Sequence, residues 1–295
     1  GSKKGKNMKK ILFIGAGIMG NWMIRNLMKA GYIITVYDIR REAVEALIQE
    51  GCAYYETLKE CLVGQDAVIT MVTTPKVVES LYFGPDAILE NAAPGTYLID
   101  MTTTAPSLEK RIYEVAKSKG LHFMDAPVTG GDHGARDAVL SILCGGDIED
   151  FEACKDLFKP MGNSINYQGP IGSGQHTKMA NQIMLAGVLS GIAESVAYAM
   201  AHNLDPDIYV KSVSTGAAEN KQFYVNGKRM IDGDYTAGFF IKHFVKDLRI
   251  TTEEAEAVGL DLDVTKKILG KYETIMDNGG AEYGMQALIK CYRDK

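Results

Sequence analysis

Within about thirty residues near its start the chain runs through a strand, a glycine turn, a helix, a second strand and an acid. Residues 9–14 (KKILFI) are an apolar run too short for a helix and closed by glycine. That pattern predicts a buried parallel strand. Gly15, Ala16, Gly17, Ile18, Met19 and Gly20 follow at once, then a helical pattern through Ala30. Residues 32–37 (YIITVY) predict the next strand, ending at Asp38. A lone G-x-G-x-x-G is common, but between a strand and a helix each glycine has a task. Gly15 permits the tight turn, Gly17 lets the backbone approach a pyrophosphate, and Gly20 lets the helix pack on the strand. The free N–H groups and positive end of that helix then face the phosphates. This stretch, from Gly15 to Gly20, therefore predicts dinucleotide binding.

Asp38 lies 18 residues after Gly20, where a carboxylate accepts from ribose hydroxyls and repels a 2′-phosphate, which favours NAD. Arg40 and Arg41 follow directly and suit that phosphate, so NADP stays open.

The alternation continues. Strands are predicted at 67–72, 96–100, 122–125 and 139–144, with helices through Tyr82 and over 108–119. Thr-Thr-Pro, Met-Thr-Thr-Thr and Thr-Gly-Gly turns close three of these strands. Repeated βα units predict an α/β fold with a Rossmann-type doubly wound sheet, whose ligands sit at the strands' carboxyl ends. After about residue 170 no further strand is predicted. Residues 174–203 read as one long helix opened by a Gly-Ser-Gly turn, with Ser173 as its N-cap. Helices near 205–215, 218–231, 239–258, 262–278 and 281–292 complete an all-α segment.

The expected organisation is a dinucleotide-binding domain over 8–170 and an all-α substrate and oligomerisation domain over 171–295. The long helix would join them, with a substrate cleft between. Residues 1–7 (GSKKGKN) read as a tag remnant.

Bulk properties narrow the function classes. A net charge of −5 argues against nucleic acid as a partner. No apolar run is read as a membrane span, since even the long helix carries His176, Lys178, Glu194 and His202. Five cysteines without a C-x-x-C fit reduced thiols in a cytoplasm, and the five histidines show no metal-binding spacing.

On the long helix Lys178, Asn181 and Gln182 stand at i, i+3 and i+4, so an ammonium and two amides share one face. Taken alone, that is a surface lysine. Likewise Lys246-Asp247, beside an apolar face built from Phe239, Phe244 and Leu248, is by spacing a rim charge pair.

Five motifs change that reading. GAGIMG resembles G-x-G-x-M-G, DMTT (100–103) resembles D-x-S-T, and DAPVTGG (125–131) resembles D-A-P-V-S-G-G. GSGQHTKMANQ resembles G-x-G-x-x-x-K-x-x-N-N, and KDL (246–248) matches as it stands. In this order they identify the chain as a member of the β-hydroxyacid dehydrogenases, over essentially all of 8–295. That group contains 3-hydroxyisobutyrate dehydrogenase, tartronate semialdehyde reductase and the glyoxylate and succinic semialdehyde reductases.

The resemblance implies an NAD(P)-dependent oxidoreductase interconverting a small β-hydroxy acid and its semialdehyde. Lys178 takes the catalytic lysine's place, with Asn181 and Gln182 as substrate-orienting amides. Thr102, Thr129, Gly130 and Gly131 would hold the substrate carboxylate. Val72, Thr73 and Thr103 would line the nicotinamide ribose side. Phe239 would wall the pocket while Lys246 and Asp247 close over cofactor and substrate. A homodimer or homotetramer is implied, since the family's helical domains pair.

The sequence departs from the family pattern where threonines replace serines in DMTT and TGG, and Gln182 replaces an asparagine. Ala138-Val139 stands where Gly-Thr is frequent, Lys242 where an acid is frequent, and His133 and Arg136 add positive charge after TGG. An altered small acid, with a second anionic group, is the resulting expectation. The competing readings are a 6-phosphogluconate dehydrogenase-like decarboxylase, an imine reductase, or a cofactor-binding scaffold without catalysis.

Overall fold

The structure is a computed structural model that describes residues 7–293. The expected tag remnant therefore lies outside the described residues, save for Asn7. The chain separates into two compact units, one ending at Lys178 and the other beginning at Met179.

The first unit is built on an eight-stranded sheet. Its strands are β1 (Lys10–Ile14), β2 (Ile33–Tyr37), β3 (Ala67–Thr70), β4 (Tyr97–Asp100), β5 (His122–Asp125), β6 (Val128–Thr129), β7 (Leu140–Gly145) and β8 (Gly162–Gly169). The order is β2-β1-β3-β4-β5-β7-β6, with β8 paired to β7. From β2 to β5 every pairing is parallel. β7 then runs antiparallel to β5 and β6, and β8 parallel to β7.

The parallel strands are apolar because helices cover both of their faces. Ile11, Phe13, Ile69 and Ile99 point into one core, and Leu12, Val68, Leu98 and Phe123 into the other. β8 escaped the sequence reading. Its segment, GNSINYQG, is polar and only partly buried, and carries no apolar run to mark it. It lies on β7, where hydrogen bonding to one neighbour suffices.

The helix Ser173–Ala201 runs through the boundary between the units. Its first turn is capped from elsewhere, which corrects the expectation for Ser173. Asp125, at the end of β5, accepts from the N–H groups of Gly172 (2.9 Å) and Gln175 (2.8 Å) through its two carboxylate oxygens. A carboxylate at this end satisfies orphan N–H groups and complements the helix dipole. Gly174 makes room for the arrangement, since a Cβ there would collide with the Leu143 carbonyl and press on Asp125.

Only Lys178 and Glu194 carry charge in this helix, so by length and composition it is able to cross a membrane. The sequence expectation that no segment qualifies is corrected to that extent. Ala186, Leu189, Ile192, Ala193 and Val196 nevertheless form a stripe buried in protein, the core of the second unit.

That second unit is helical among its described residues. Asp205 caps the helix Pro206–Val213 by accepting from the N–H groups of Asp207 and Ile208, both at 3.0 Å. Helices Ile241–Ala257 and Asp263–Ile275 pack Phe244, Leu248, Ile268 and Tyr272 into the common core. The expected last helix is shorter and tighter, a 3₁₀ segment Met285–Ile289 followed by Lys290–Arg293.

Candidate active site

The glycines of the turn between β1 and the helix Ile18–Lys29 stand in different surroundings. Gly15 has φ +105°, and a Cβ there would collide with the Met71 carbonyl. At Gly20 a Cβ would collide with the Gly15 carbonyl. At Gly17 it would meet no protein atom within 4 Å. The fold therefore does not itself require glycine at 17. The open space fits the close approach of a pyrophosphate to the backbone.

Asp38 is bound to this turn. Its Oδ2 accepts from the Ala16 N–H and its Oδ1 from the Arg40 N–H, both at 2.9 Å. Each oxygen keeps a lone pair for a ribose hydroxyl. The Arg40 guanidinium leans back on the same carboxylate, at 3.6 Å. Arg41 is held away by Glu56 at 2.8 Å and lies over the Tyr54 ring, 4.5 Å from its centroid. Ile18 is exposed and Met19 half-buried at the start of the helix.

The turns after β3 and β4 are tied together. Thr102 Oγ1 accepts from the Val72 N–H at 3.0 Å, and the Thr102 N–H donates to Asp100 Oδ1 at 3.2 Å. Thr102 itself is 1% exposed. Thr102 thus joins the two turns. Thr73 is exposed beside it, and Thr103 is half-buried.

Gln175 extends the same network to the long helix. Its Oε1 accepts from the Thr104 N–H at 3.0 Å, and its Nε2 donates to the Thr102 carbonyl at 2.6 Å. Nε2 also reaches Glu109 Oε1 at 3.2 Å. Lys178 follows one helical turn later and is 8% exposed. Gln175 and Glu109 were not singled out from the sequence. Gln175 lay inside the quoted GSGQHTK motif, whereas Glu109, in PSLEK, has the look of a surface charge.

After β6, Thr129 is half-buried and Gly130 and Gly131 are exposed, with φ of +138° and +69°. The short helix Gly131–Arg136 follows. Arg136 pairs with its neighbour Asp137 at 2.9 Å, so the extra positive charge expected there is largely answered locally.

In the second unit four residues form a chain. Lys246 Nζ lies 2.7 Å from Asp247 Oδ1, and Asp247 Oδ2 accepts from Gln182 Nε2 at 2.9 Å. Gln182 Oε1 in turn accepts from Asn181 Nδ2 at 2.8 Å. An ionised carboxylate only accepts, so it fixes the Gln182 amide, which fixes Asn181 with Oδ1 turned the other way. Gln182 is 2% exposed, with both ends of its amide engaged. Phe239 stands just before this helix, edge-on to Phe244 at 6.1 Å. Lys242 pairs with Glu282 at 3.1 Å. Among the described residues no three His, Cys, Asp or Glu side chains gather as metal ligands would.

A Rossmann-type sheet with a glycine turn and an acid bonded to it, followed by a unit helical among its described residues, is the framework of a nicotinamide-dinucleotide oxidoreductase. Comparison with known proteins agrees. Residues 10–169 match the model of the NAD binding domain of 6-phosphogluconate dehydrogenase. Residues 172–292 match that of the NAD-binding domain of NADP-dependent 3-hydroxyisobutyrate dehydrogenase. An uncharacterized oxidoreductase of Bacillus subtilis, YkwC, is 44% identical over 97% of this chain and 99% of its own. The NAD-dependent L-serine dehydrogenase of Pseudomonas aeruginosa is 33% identical over 97% of this chain and 98% of its own. The solved 3-hydroxyisobutyrate dehydrogenase of Mycobacterium tuberculosis with L-serine superposes at TM-score 0.89, with 27% identity over 97% and 99%. The chain belongs to the β-hydroxyacid dehydrogenase family, and its cofactor is NAD or NADP.

Proposed function

We propose that this protein interconverts a small β-hydroxy acid and its semialdehyde, with Lys178 as the general acid and base. The observation that carries the reading is the placement of Lys178. It is almost buried, one turn along a helix whose first turn is fastened to the DMTT turn through Gln175. A lysine held this way can deliver a proton to a carbonyl oxygen as charge develops on it, and its ammonium stabilises that oxygen. In the oxidative direction the same nitrogen takes the hydroxyl proton.

The bound nicotinamide accepts or supplies the hydride. We assign its dinucleotide to Gly15, Ala16, Gly17, Ile18, Met19 and Gly20, with Asp38 on the adenosine ribose. Val72, Thr73, Thr103 and Lys246 serve the nicotinamide side. Thr129, Gly130 and Gly131 receive the substrate carboxylate through a hydroxyl and backbone N–H groups, and the buried Thr102 braces the neighbouring DMTT turn. Asn181 orients the substrate beside Lys178. Gln182 and Asp247 hold Asn181 in that orientation, and Phe239 gives the pocket an apolar wall. The family resemblance supports the roles of Lys178, Thr129, Gly130, Gly131, Val72, Thr73, Thr103, Lys246 and Phe239, and the hydrogen bonds among Asn181, Gln182 and Asp247 support the positioning of Asn181. Asp38, with Arg41 occupied by Glu56, favours NAD over NADP.

We further propose the division of labour read from the sequence, a cofactor domain over 8–170 and a substrate and oligomerisation domain over 171–295. The assembly is a homodimer or homotetramer. The five free cysteines fit a cytoplasmic enzyme.

Steady-state kinetics with NADH and NADPH across a panel of C2–C5 aldehyde acids tests the activity. Lys178→Ala should lose nearly all turnover while binding dinucleotide as before, and retained turnover would falsify the role of Lys178.

A further inference from the structure

Three carboxyl groups are completely or almost completely buried under the turns just described. They are Asp100 at the end of β4, Asp125 at the end of β5 and Glu109 in the helix Pro106–Ser118, each 0% exposed. Asp125 is accounted for by the N–H groups it caps. The other two are different. Asp100 Oδ1 receives the Thr70 hydroxyl at 2.9 Å and the Thr102 N–H at 3.2 Å. Glu109 Oε1 receives Gln175 Nε2 at 3.2 Å. Asp100 Oδ2 and Glu109 Oε2 are both buried with no N–H or hydroxyl donor in place. The two side chains lie within reach of a hydrogen bond to each other.

Two ionised carboxylates cannot share such a place. Their mutual repulsion and the two unpaired oxygens both penalise that state. A single proton between them removes both problems, since one group becomes a donor to the other. Asp100 is the better anion because it already takes two donors on its other oxygen, whereas Glu109 takes one.

We infer that Glu109 is an un-ionised carboxylic acid whose proton is given to Asp100, and that this pair is a positioning device for the active-site turn. The groups facing it agree. Tyr82, from the helix Pro75–Tyr82, bonds Thr70 Oγ1 at 2.8 Å, and Thr70 passes its own proton to Asp100. Asp125 is a further carboxylate near the pair, and its charge favours a neutral Glu109. Burial and the neighbouring Asp100 push the Glu109 carboxyl well above its ordinary range.

The consequence is mechanical. Neutral Glu109 accepts from Gln175, and Gln175 holds the carbonyl of Thr102 and the N–H of Thr104. The pair therefore fixes the Thr102–Thr104 backbone against the first turn of the helix that bears Lys178. The bearing of this clamp on turnover rests on the proposed role of Lys178. The shared proton itself does not.

The test separates the two. Glu109→Gln keeps the length, donates N–H to Asp100 and still accepts from Gln175, so it should fold and keep its activity. The folded parent retains a proton that its unfolded state loses above the ordinary carboxylate pKa. Its Tm should therefore fall more steeply with rising pH than that of Glu109→Gln once the unfolded carboxyl ionises, above about pH 5. Parallel curves overturn the inference. Independently, infrared spectra of the intact parent at about pH 8 should contain the carbonyl stretch of an un-ionised carboxylic acid, at a pH where exposed carboxyls are ionised. A spectrum with ionised carboxylates alone overturns it as well. Glu109→Ala should raise KM for the hydroxy acid about tenfold, an increase Glu109→Gln rescues. If the two variants are equally impaired, the ionised carboxylate is what matters and the inference fails.

Discussion

Gln182 donates to Asp247 across 65 residues of sequence, at 2.9 Å, with both side chains almost fully buried. The bond joins the helix Ser173–Ala201 to the helix Ile241–Ala257 inside the second unit. It also gives Gln182 a task other than touching substrate. Gln182→Met keeps the length but leaves Asp247 Oδ2 without its donor, at a cost of about 1–3 kcal/mol. Urea denaturation should show that loss. Gln182→Glu should lose more still, because it sets a second carboxylate against Asp247.

Ala138 occupies a position built for glycine. Its φ is +58°, the Val139 N–H returns to the Gly134 carbonyl at 2.9 Å, and the helix Gly131–Arg136 ends there. This is the six-to-one closure that places a left-handed residue after a helix. A Cβ in that conformation costs about 1 kcal/mol. Ala138→Gly should therefore raise the denaturation midpoint without altering turnover, and an unchanged or lower midpoint would refute the strain. The sequence had flagged the alanine as unusual, and the backbone supplies the reason.

Other features were legible only in part. The glycine turn, the parallel strands and the family motifs announce themselves because each rests on local pattern. Glu109 does not. In PSLEK it is an ordinary charged helix residue, and only the tertiary contact with Asp100 and Gln175 makes it a buried acid. β8 is hidden for the converse reason, being a polar strand with one hydrogen-bonded neighbour. The N-cap of the long helix could not be read locally, since its acceptor lies on β5. The family motif implies a substrate amide at Gln182. Its bond to a residue 65 positions away carries no signal in the segment itself.

Cofactor choice turns on Asp38. Asp38→Ser keeps an acceptor for the Ala16 N–H but removes the negative charge that Arg40 leans on. The variant should shift the ratio of kcat/KM for NADPH over NADH upward by about tenfold. An unmoved ratio would place selectivity elsewhere in the turn.

Stability should fall as pH rises through the mildly acidic range. Burial raises the carboxyls of Asp100, Glu109 and Asp125, the last to about 6 despite the N–H groups of Gly172 and Gln175. Unfolded, all three release protons near pH 4. Between about pH 4 and about pH 6 the folded state holds more protons than the unfolded one, so raising pH favours unfolding. The contribution of Asp125 is complete above its folded value, and that of Glu109 continues upward. Calorimetric Tm measured across this window checks the sign, once the opposing slope from exposed, ion-paired acids is allowed for.

Asp125 has one more consequence, for the order in which the chain acquires structure. The first turn of a 29-residue helix takes its cap from a strand residue 47 and 50 positions earlier in sequence. On a ribosome β5 emerges first, and the helix start finds its acceptor waiting. Until β5 is seated in the sheet, those N–H groups have only water. The helix that joins the units thus acquires its anchored start late, and damage to the sheet would reach the lysine by a kinetic route as well as a geometric one.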